Sequence, residues 1–468
     1  MKIFEIVCGA LIVVLAAPAW SQVEGSPVQP AASFTGTSDQ PVQSQIADQT
    51  GDPMQTPPVV SGQTYPSTPT SEERTNYLRG GVGFISSYSN NAAESANGQP
   101  ISQLSYIITP MVALDETTSR LHFNFTYSPG FSFYQRTSDL NSANQNAAIV
   151  FSYRLSPHVT LSARDSVMKT SSVLNQPDFA PGGPVTGGAE GANFSVIAPV
   201  ADLLTNSGNV GLTYQFSANQ MIGASGTFSN LHYPNPAQVT GLYDSSSQGG
   251  SVFYSHRVTR MHYFGVTYQY QRLIAQPTIG LNETQTHAIL GFYTMYPSAR
   301  LSVSLFGGPQ YSDTMEPPIA PLPAAMPAAR AWTPAVGGSL SWQGRLNTFA
   351  MSYSHIISGG GGLNGAVHMD SATASWRQTI AKNLNATVSG AYIQNNVIGG
   401  FALPGASNGH TVSGTVSLQR QFHQNVNMQL GYTRLHQDYS GVSVLSALPD
   451  TNREFISLSY QFSKPVGR

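Results

Sequence analysis

Val426-Asn427-Met428-Gln429-Leu430-Gly431-Tyr432 alternates apolar and polar residues without a break. A period of two places the apolar set on one face of an extended chain and the polar set on the other, which a helix cannot do. Val210-x-Leu212-x-Tyr214-x-Phe216, Leu121-x-Phe123-x-Phe125-x-Tyr127 and Ile456-x-Leu458-x-Tyr460-x-Phe462 obey the same rule, as does Leu384-x-Ala386-x-Val388 leading to Tyr392. One face is apolar or aromatic; the other is Ser, Thr, Asn, Gln, Gly and an occasional Arg. From Tyr77 onward this texture does not change. The chain reads as all-β.

Connections decide the architecture. Short polar turns fall at Ser156-Pro157-His158, Ser217-Ala218-Asn219, Thr259-Arg260, Pro297-Ser298-Ala299, Gly344, Lys382-Asn383 and Gln424-Asn425, with another between Asp115 and Ser119. Between them lie longer loops rich in Gly, Pro, Asn and Ser, near 90–99, 138–145, 171–206, 231–248, 275–282, 312–329, 358–366, 398–409 and 439–451. Short and long alternate throughout, which gives about 18 strands (16–18). Most segments run roughly 10–14 residues, beyond the ~5–6 of globular sheets and close to the ~9–11 that cross a bilayer at a tilt. Lipid cannot satisfy an open sheet edge, so such a sheet must close. The expected fold is a transmembrane, antiparallel, up-and-down β-barrel with apolar residues outward.

Composition agrees. Charged residues make up 9% of the 468-residue chain, against roughly 25% in soluble domains. Hydrophobic residues make up only 40%, and there is no second apolar run of the ~20 residues that transmembrane helices need. A propeller or β-helix would show a motif at fixed period, and none is present. The net charge of −2 gives no reason to expect nucleic-acid binding.

The last strand, Phe455-Ile456-Ser457-Leu458-Ser459-Tyr460-Gln461-Phe462, is alternating and ends on an aromatic. With the pattern from Tyr77 to Phe462, it resembles the bacterial outer-membrane β-barrel proteins, porin-like in size. That resemblance implies recognition of the final strand by barrel-insertion machinery, surrounding outer-membrane lipid, and both termini in the periplasm. In the family the aromatic is usually the last residue, whereas here Ser463 to Arg468 follow it.

The N-terminus reads separately. Lys2 precedes an apolar core from Ile6 to Ala17, followed by small-x-small sites at Ala17-Pro18-Ala19 and Ala19-Trp20-Ser21. Residues 1–19 are expected to be a secretory signal peptide. It contains the sole cysteine, Cys8, so the mature chain has no thiol chemistry. Residues 20–74, rich in Pro, Gln, Ser and Thr, are expected to be a disordered periplasmic tail. Residues 75–468 form the barrel.

An eighteen-strand barrel encloses a water-filled lumen. Alternation places Arg79, Arg120, Arg154, Arg164, Arg300 and Arg377 on the polar face, as pore-lining residues. Residues 1–74 carry two basic and seven acidic side chains, which leaves 19 basic and 16 acidic in the barrel. Guanidinium groups grip carboxylate and phosphate, so these arginines would favour anionic solutes; pairing with loop carboxylates or capping of strand ends is the competing role. Loops at Gln176–Pro199 and Glu316–Pro323 are long or stiff enough to constrict the mouth. Gly359–Gly362 reads as a flexible turn, not a phosphate cradle. No metal-ligand spacing, cofactor motif or nucleophile elbow stands out, so no enzyme, metal or cofactor is expected. The leading expectation is a porin-like channel for small hydrophilic solutes. Its alternatives are a conduit for exopolysaccharide export and a plugged structural or surface-interaction barrel. Nothing in the sequence specifies an oligomer.

Overall fold

The computed structural model describes residues 76–94, 100–138, 141–171, 196, 201–277, 281–298, 300–315, 329–398, 408–423, 425–440, 442 and 450–465. The expected signal peptide and tail lie outside the described residues, as do the loop Glu316–Pro323 and all of Gln176–Pro199 but Val196.

The strands are β1 (Tyr77–Glu94), β2 (Pro100–Thr117), β3 (Leu121–Tyr127, resumed as Gly130–Tyr134), β4 (Ser142–Ser156), β5 (Val159–Thr170) and β6 (Leu203–Ser217). Next come β7 (Gln220–His232), β8 (Asp244–Thr259), β9 (His262–Gln276), β10 (Asn282–Ser298), β11 (Leu301–Met315) and β12 (Ala329–Gln343). The ring is completed by β13 (Asn347–Gly359), β14 (Ala366–Ala381), β15 (Leu384–Val397), β16 (Gly409–His423), β17 (Val426–Tyr439) and β18 (Asp450–Pro465). Both pieces of β3 pair with β2 on one side and β4 on the other, so they are one strand. Its interruption falls at Pro129, which has no N–H to give the ladder.

Each strand pairs antiparallel with its sequence neighbours, and β1 pairs with β18 from Tyr77↔Pro465 to Ser89↔Arg453. The barrel is closed, with eighteen strands. Eight connections of two or three residues alternate with nine longer ones, as the sequence rhythm predicts. Tyr77 and Pro465 face each other beside Asp115, so both ends of the barrel chain lie on the short-turn side. Hydroxyls punctuate those turns. Ser156, Ser217, Thr259 and Ser298 each accept a hydrogen bond from the backbone N–H two residues on, at 3.2–3.3 Å. A side chain thereby supplies the bond that a reversing backbone loses.

Large apolar side chains cover the outside. Val82, Phe84, Val112, Val210, Leu212, Val252, Phe264, Ile289, Leu305, Val416 and Leu458 are exposed, as lipid contact requires. The inner face is mostly hydroxyl. Ser87–Ser105, Ser225–Ser251, Thr294–Ser304 and Ser352–Thr373 form cross-strand pairs at 2.7–2.8 Å. Each pair satisfies its polar groups within the wall.

Glycine has a specific use here. Phe253, Phe292, Phe306 and Phe462 each face a glycine across the ladder, at Gly223, Gly265, Gly337 and Gly80. The rings lie flat over these glycines, where a Cβ would overlap them.

Candidate functional site: the lumen and its inserted hairpin

One hairpin leaves the wall. β13 pairs with β12 only from Val336↔His355 to Gln343↔Thr348, yet it pairs with β14 up to Gly359↔Ala366. The upper part of β13 instead crosses the inner face of its more distant neighbours. The Ile357 N–H donates to Gln310 Oε1 of β11 at 3.2 Å, and Gly359 sits beside Leu273 of β9. Asn282 Nδ2 donates to Asn364 Oδ1 at 2.6 Å, and the Tyr243 N–H to the Gly362 carbonyl at 2.7 Å.

The tetraglycine run is the tip of this hairpin. Gly361 and Gly362 have φ of 63° and 103°, a left-handed backbone that side chains disfavour. A Cβ on Gly362 would also press on the Tyr233 hydroxyl. Residues 360–363 and 365–367 are all buried. The expectation of a simple flexible turn is therefore corrected: the glycines allow the hairpin to pass under Tyr233 inside the barrel.

Packing fixes the tip. Leu363 and Val367 are completely buried in a cluster with Leu203, Leu231 and Tyr233 from one wall and Leu435 and Tyr439 from the far one. Each such side chain contributes about 1.5–3 kcal/mol, against ~1 kcal/mol for the Tyr243–Gly362 hydrogen bond. The apolar contacts dominate. Val196 belongs to the same cluster, so one residue of the long loop marked as a constriction reaches the mouth. Tyr233 is held there by its N–H, which donates to Asp244 Oδ1 at 2.8 Å. Burial and then the Asp244 carboxylate push its phenol far above the ordinary tyrosine range, so it stays neutral.

The insertion divides the lumen. Inner side chains of β9–β11 are mostly sealed: Leu290 is 1% exposed and Phe292 2%, and Thr294, Ser302 and Ser304 are buried as well. In the short-turn half, inner side chains of β3–β6 remain partly exposed, among them His122, Ser162 and Thr213. Ser375, Asn385 and Thr387 on β14 and β15 do so too. In a ring of eighteen, β5 and β14 are nine strands apart, hence opposite. Water reaches two facing walls and not the third.

Four of the six arginines singled out from the sequence lie on the inner face. Arg154 and Arg164 stand on the first accessible wall, by their pairing with Thr160 and Val150. Arg377 stands on the opposite wall, paired with Thr348 and Thr387. Arg79 is nearer the turns, with Nη2 3.7 Å from Asp115 Oδ2. Arg120 and Arg300 sit in short turns and not in strands, so the alternation used to place them does not apply. Their carbonyls accept from Arg154 N and Gln343 N. Sequence reasoning missed two inward arginines that the same alternation marks. Arg257 clasps the β6–β7 turn through Asn219 Oδ1 and the Ala218 carbonyl, at 3.0 and 2.8 Å. Arg453 stacks on Phe455 at 5.2 Å.

Several charges at the long-loop ends face outward and pair there. Arg272 grips Glu283 with Nε–Oε1 at 2.8 Å and Nη2–Oε2 at 2.6 Å. Arg330 meets Asp313 at 3.1 Å. The carboxylates of Glu283 and Asp313 are thus paired outside the lumen, while on the inner face Asp115 stands against Arg79.

No family model matches the chain, and none of the curated proteins resembles it in sequence. Among solved structures it is similar to the outer membrane protein opdK of Pseudomonas aeruginosa, at 10% identity over 83% of this chain and 99% of that one, with a TM-score of 0.39. OccAB4 of Acinetobacter baumannii matches at 10% identity over 84% and 99%, TM-score 0.39. OccK2 (OpdF) of Pseudomonas aeruginosa in complex with glucuronate matches at 10% over 83% and 98%, TM-score 0.40. Likeness at this level assigns neither family nor substrate.

Proposed function

We propose that the protein is a porin-like channel of the bacterial outer membrane, passing small hydrophilic solutes passively and favouring anions. The observation that carries this reading is the pair of facing, water-accessible inner walls, with Arg154 and Arg164 on one and Arg377 on the other. Arginines in a water-filled passage raise the local anion concentration without binding tightly enough to stop flow. The inserted hairpin narrows the long-loop end and sets the size limit. Solutes are the partners in this reading, and catalysis plays no part. Residues 1–19 direct export, residues 20–74 remain as a periplasmic tail, and both chain termini of the barrel lie in the periplasm. The last strand serves the insertion machinery.

The cross-lumen cluster around Leu363 favours a second reading, a plugged barrel that acts through its surface. Planar-bilayer recording separates the two. The channel reading expects discrete conductance steps and an anion-selective reversal potential in a salt gradient. A silent bilayer with correctly inserted protein supports the plug.

A further inference from the structure

One outward side chain breaks the apolar coat in the middle of the wall. Asp165 is the seventh of the twelve residues of β5. It stands directly across from Gly208 on β6 and from Ile149, the eighth of the fifteen residues of β4, which is exposed. Directly paired residues share a face. Asp165 therefore points outward at mid-height of the strands, where lipid surrounds such a barrel. Its Oδ1 lies over Gly208 beside the Phe228 ring and has no hydrogen-bond partner among the described residues. The carboxylates of Asp244, Glu283, Asp313, Asp370 and Asp450 also face outward, but they stand toward the long loops, each against a histidine or an arginine. An ionisable group at membrane depth with no partner in its own chain marks a site of function.

The polar stripe continues upward. Asn206 is diagonal to Asp165 and directly across from Asn230, and Asn206 Oδ1 is likewise without a partner among the described residues. Pairing rows climb around this barrel. One row runs from Tyr77 at the short-turn end of β1, through Asp115, Val150 and Asn209, to Gln271 near the long-loop end of β9. The strands thus lean, and a line parallel to the barrel axis crosses β5, β6 and β7 in turn. Asp165, Asn206 and Asn230 lie along such a line. The aromatic coat is interrupted at the same place. Outward tyrosines stand in the long-loop halves of β1, β2, β9, β11 and β15, at Tyr88, Tyr106, Tyr270, Tyr311 and Tyr392, and such rings seat at the level of lipid headgroups. From β4 to β8 the outward positions there hold Gln145, Lys169, Asn206, Asn230 and Gln248 instead. Where the β5–β6 loop is described it turns away from the stripe, since Val196 packs inside the mouth.

We propose that this stripe is where a second copy of the chain docks, giving a side-by-side dimer about a twofold axis parallel to the barrel axis. Such an axis sets equal heights against each other. Asp165 then meets the partner's Asp165, and a proton shared between the two carboxyls lets one donate to the other. Asn206 meets the partner's Asn206; a carboxamide carries both donor and acceptor, so it pairs with a copy of itself. Each polar group of the stripe is complementary to an identical group at its own depth, which singles out a second copy as the occupant. Ala163, Gly208 and Gly226 keep the intervening surface low, so that short side chains can touch. Two upright barrels meet along a line, and the stripe has that shape and direction. The contact leaves both lumens as they are.

The test uses the full chain with Cys8→Ser in phosphatidylcholine vesicles. Asn206→Cys puts a thiol on the stripe, and Val388→Cys puts one on the outer face of β15, nine strands from β6. A single thiol links only where a residue meets its own counterpart, so the disulfide reads the twofold contact. Mild oxidation should join Asn206→Cys chains into dimers and leave Val388→Cys chains monomeric. Asp165→Leu added to Asn206→Cys should lower the dimer yield at least tenfold, since it removes the group that lipid leaves unsatisfied. Asp165→Asn, whose carboxamide pairs with itself, should retain the yield. Unchanged circular dichroism shows that each variant keeps its barrel. Asn206→Cys chains that stay monomeric at every protein density would overturn the proposal. So would equal yields from Val388→Cys, or a yield that Asp165→Leu leaves unchanged.

Discussion

Two stretches of the same barrel wall have opposite interiors. On β3–β6 the inner positions toward the short turns, among them His122, Ser152, Arg154, Ser162 and Thr213, are partly open to water. On β9–β11 hydroxyls are interleaved with Leu290, Phe292 and Phe306, and most inner positions are sealed. Both stretches are antiparallel strands with an apolar outer coat. What differs is what lies against the inner face. The β13–β14 hairpin lies against the second stretch through Ile356 and Ile357, and meets the first only at its long-loop end, at Leu203. Barrel closure and lumen shape are thus set by separate instructions: alternation builds the wall, and one hairpin decides which part of it stays wet.

The most disruptive change should be Leu363→Asp. It puts a carboxylate at a fully buried point between two walls, at a cost on the order of several kcal/mol unless the tip leaves. The expected outcome is an expelled hairpin, larger single-channel conductance and exposure of the β9–β11 interior, with the barrel still inserted. Alkaline pH should act in the same direction. The folded state holds Tyr233 protonated above its ordinary range, so its stabilising contribution is intact below the free tyrosine pKa of about 10 and is lost progressively above it. Conductance should rise on titration past that point, and Tyr233→Phe should remove the rise.

Smaller effects test each wall alone. Gly265→Ala places a methyl group against the Phe292 ring and the Tyr254 carbonyl, an overpacking of ~1–3 kcal/mol. Thermal unfolding should report that loss, while ion selectivity stays as it was. Arg164→Ala and Arg377→Ala should do the reverse. Each should lower anion-over-cation permeability about threefold, the factor expected when under 1 kcal/mol of Coulomb energy is lost in water, and leave stability nearly unchanged.

Much of this architecture is legible in the residues. The run from Val426 to Tyr432 and the serines before the short turns give strand faces, turn positions and the even count, because both signals are local. The inserted hairpin is not local. Gly359 to Gly362 reads as a loose turn, since its partners Tyr233 and Leu273 lie far away in the sequence. The sealed wall is obscured for another reason. Around Ala288-Ile289-Leu290 both faces are apolar, so alternation cannot tell lipid from plug. Arg120 and Arg300 mark the limit at strand ends, where a shift of one or two residues moves a side chain from wall to turn.

That water follows β3–β6 and avoids β9–β11 is open to direct measurement by cysteine accessibility. In the Cys8→Ser background, Ser162→Cys and Ser304→Cys each place one thiol on the inner face, on the first wall and the second. A charged methanethiosulfonate added during bilayer recording should label Ser162→Cys within seconds and reduce its conductance, and leave Ser304→Cys unmodified. Equal labelling at both positions, or labelling at Ser304→Cys alone, would contradict the account.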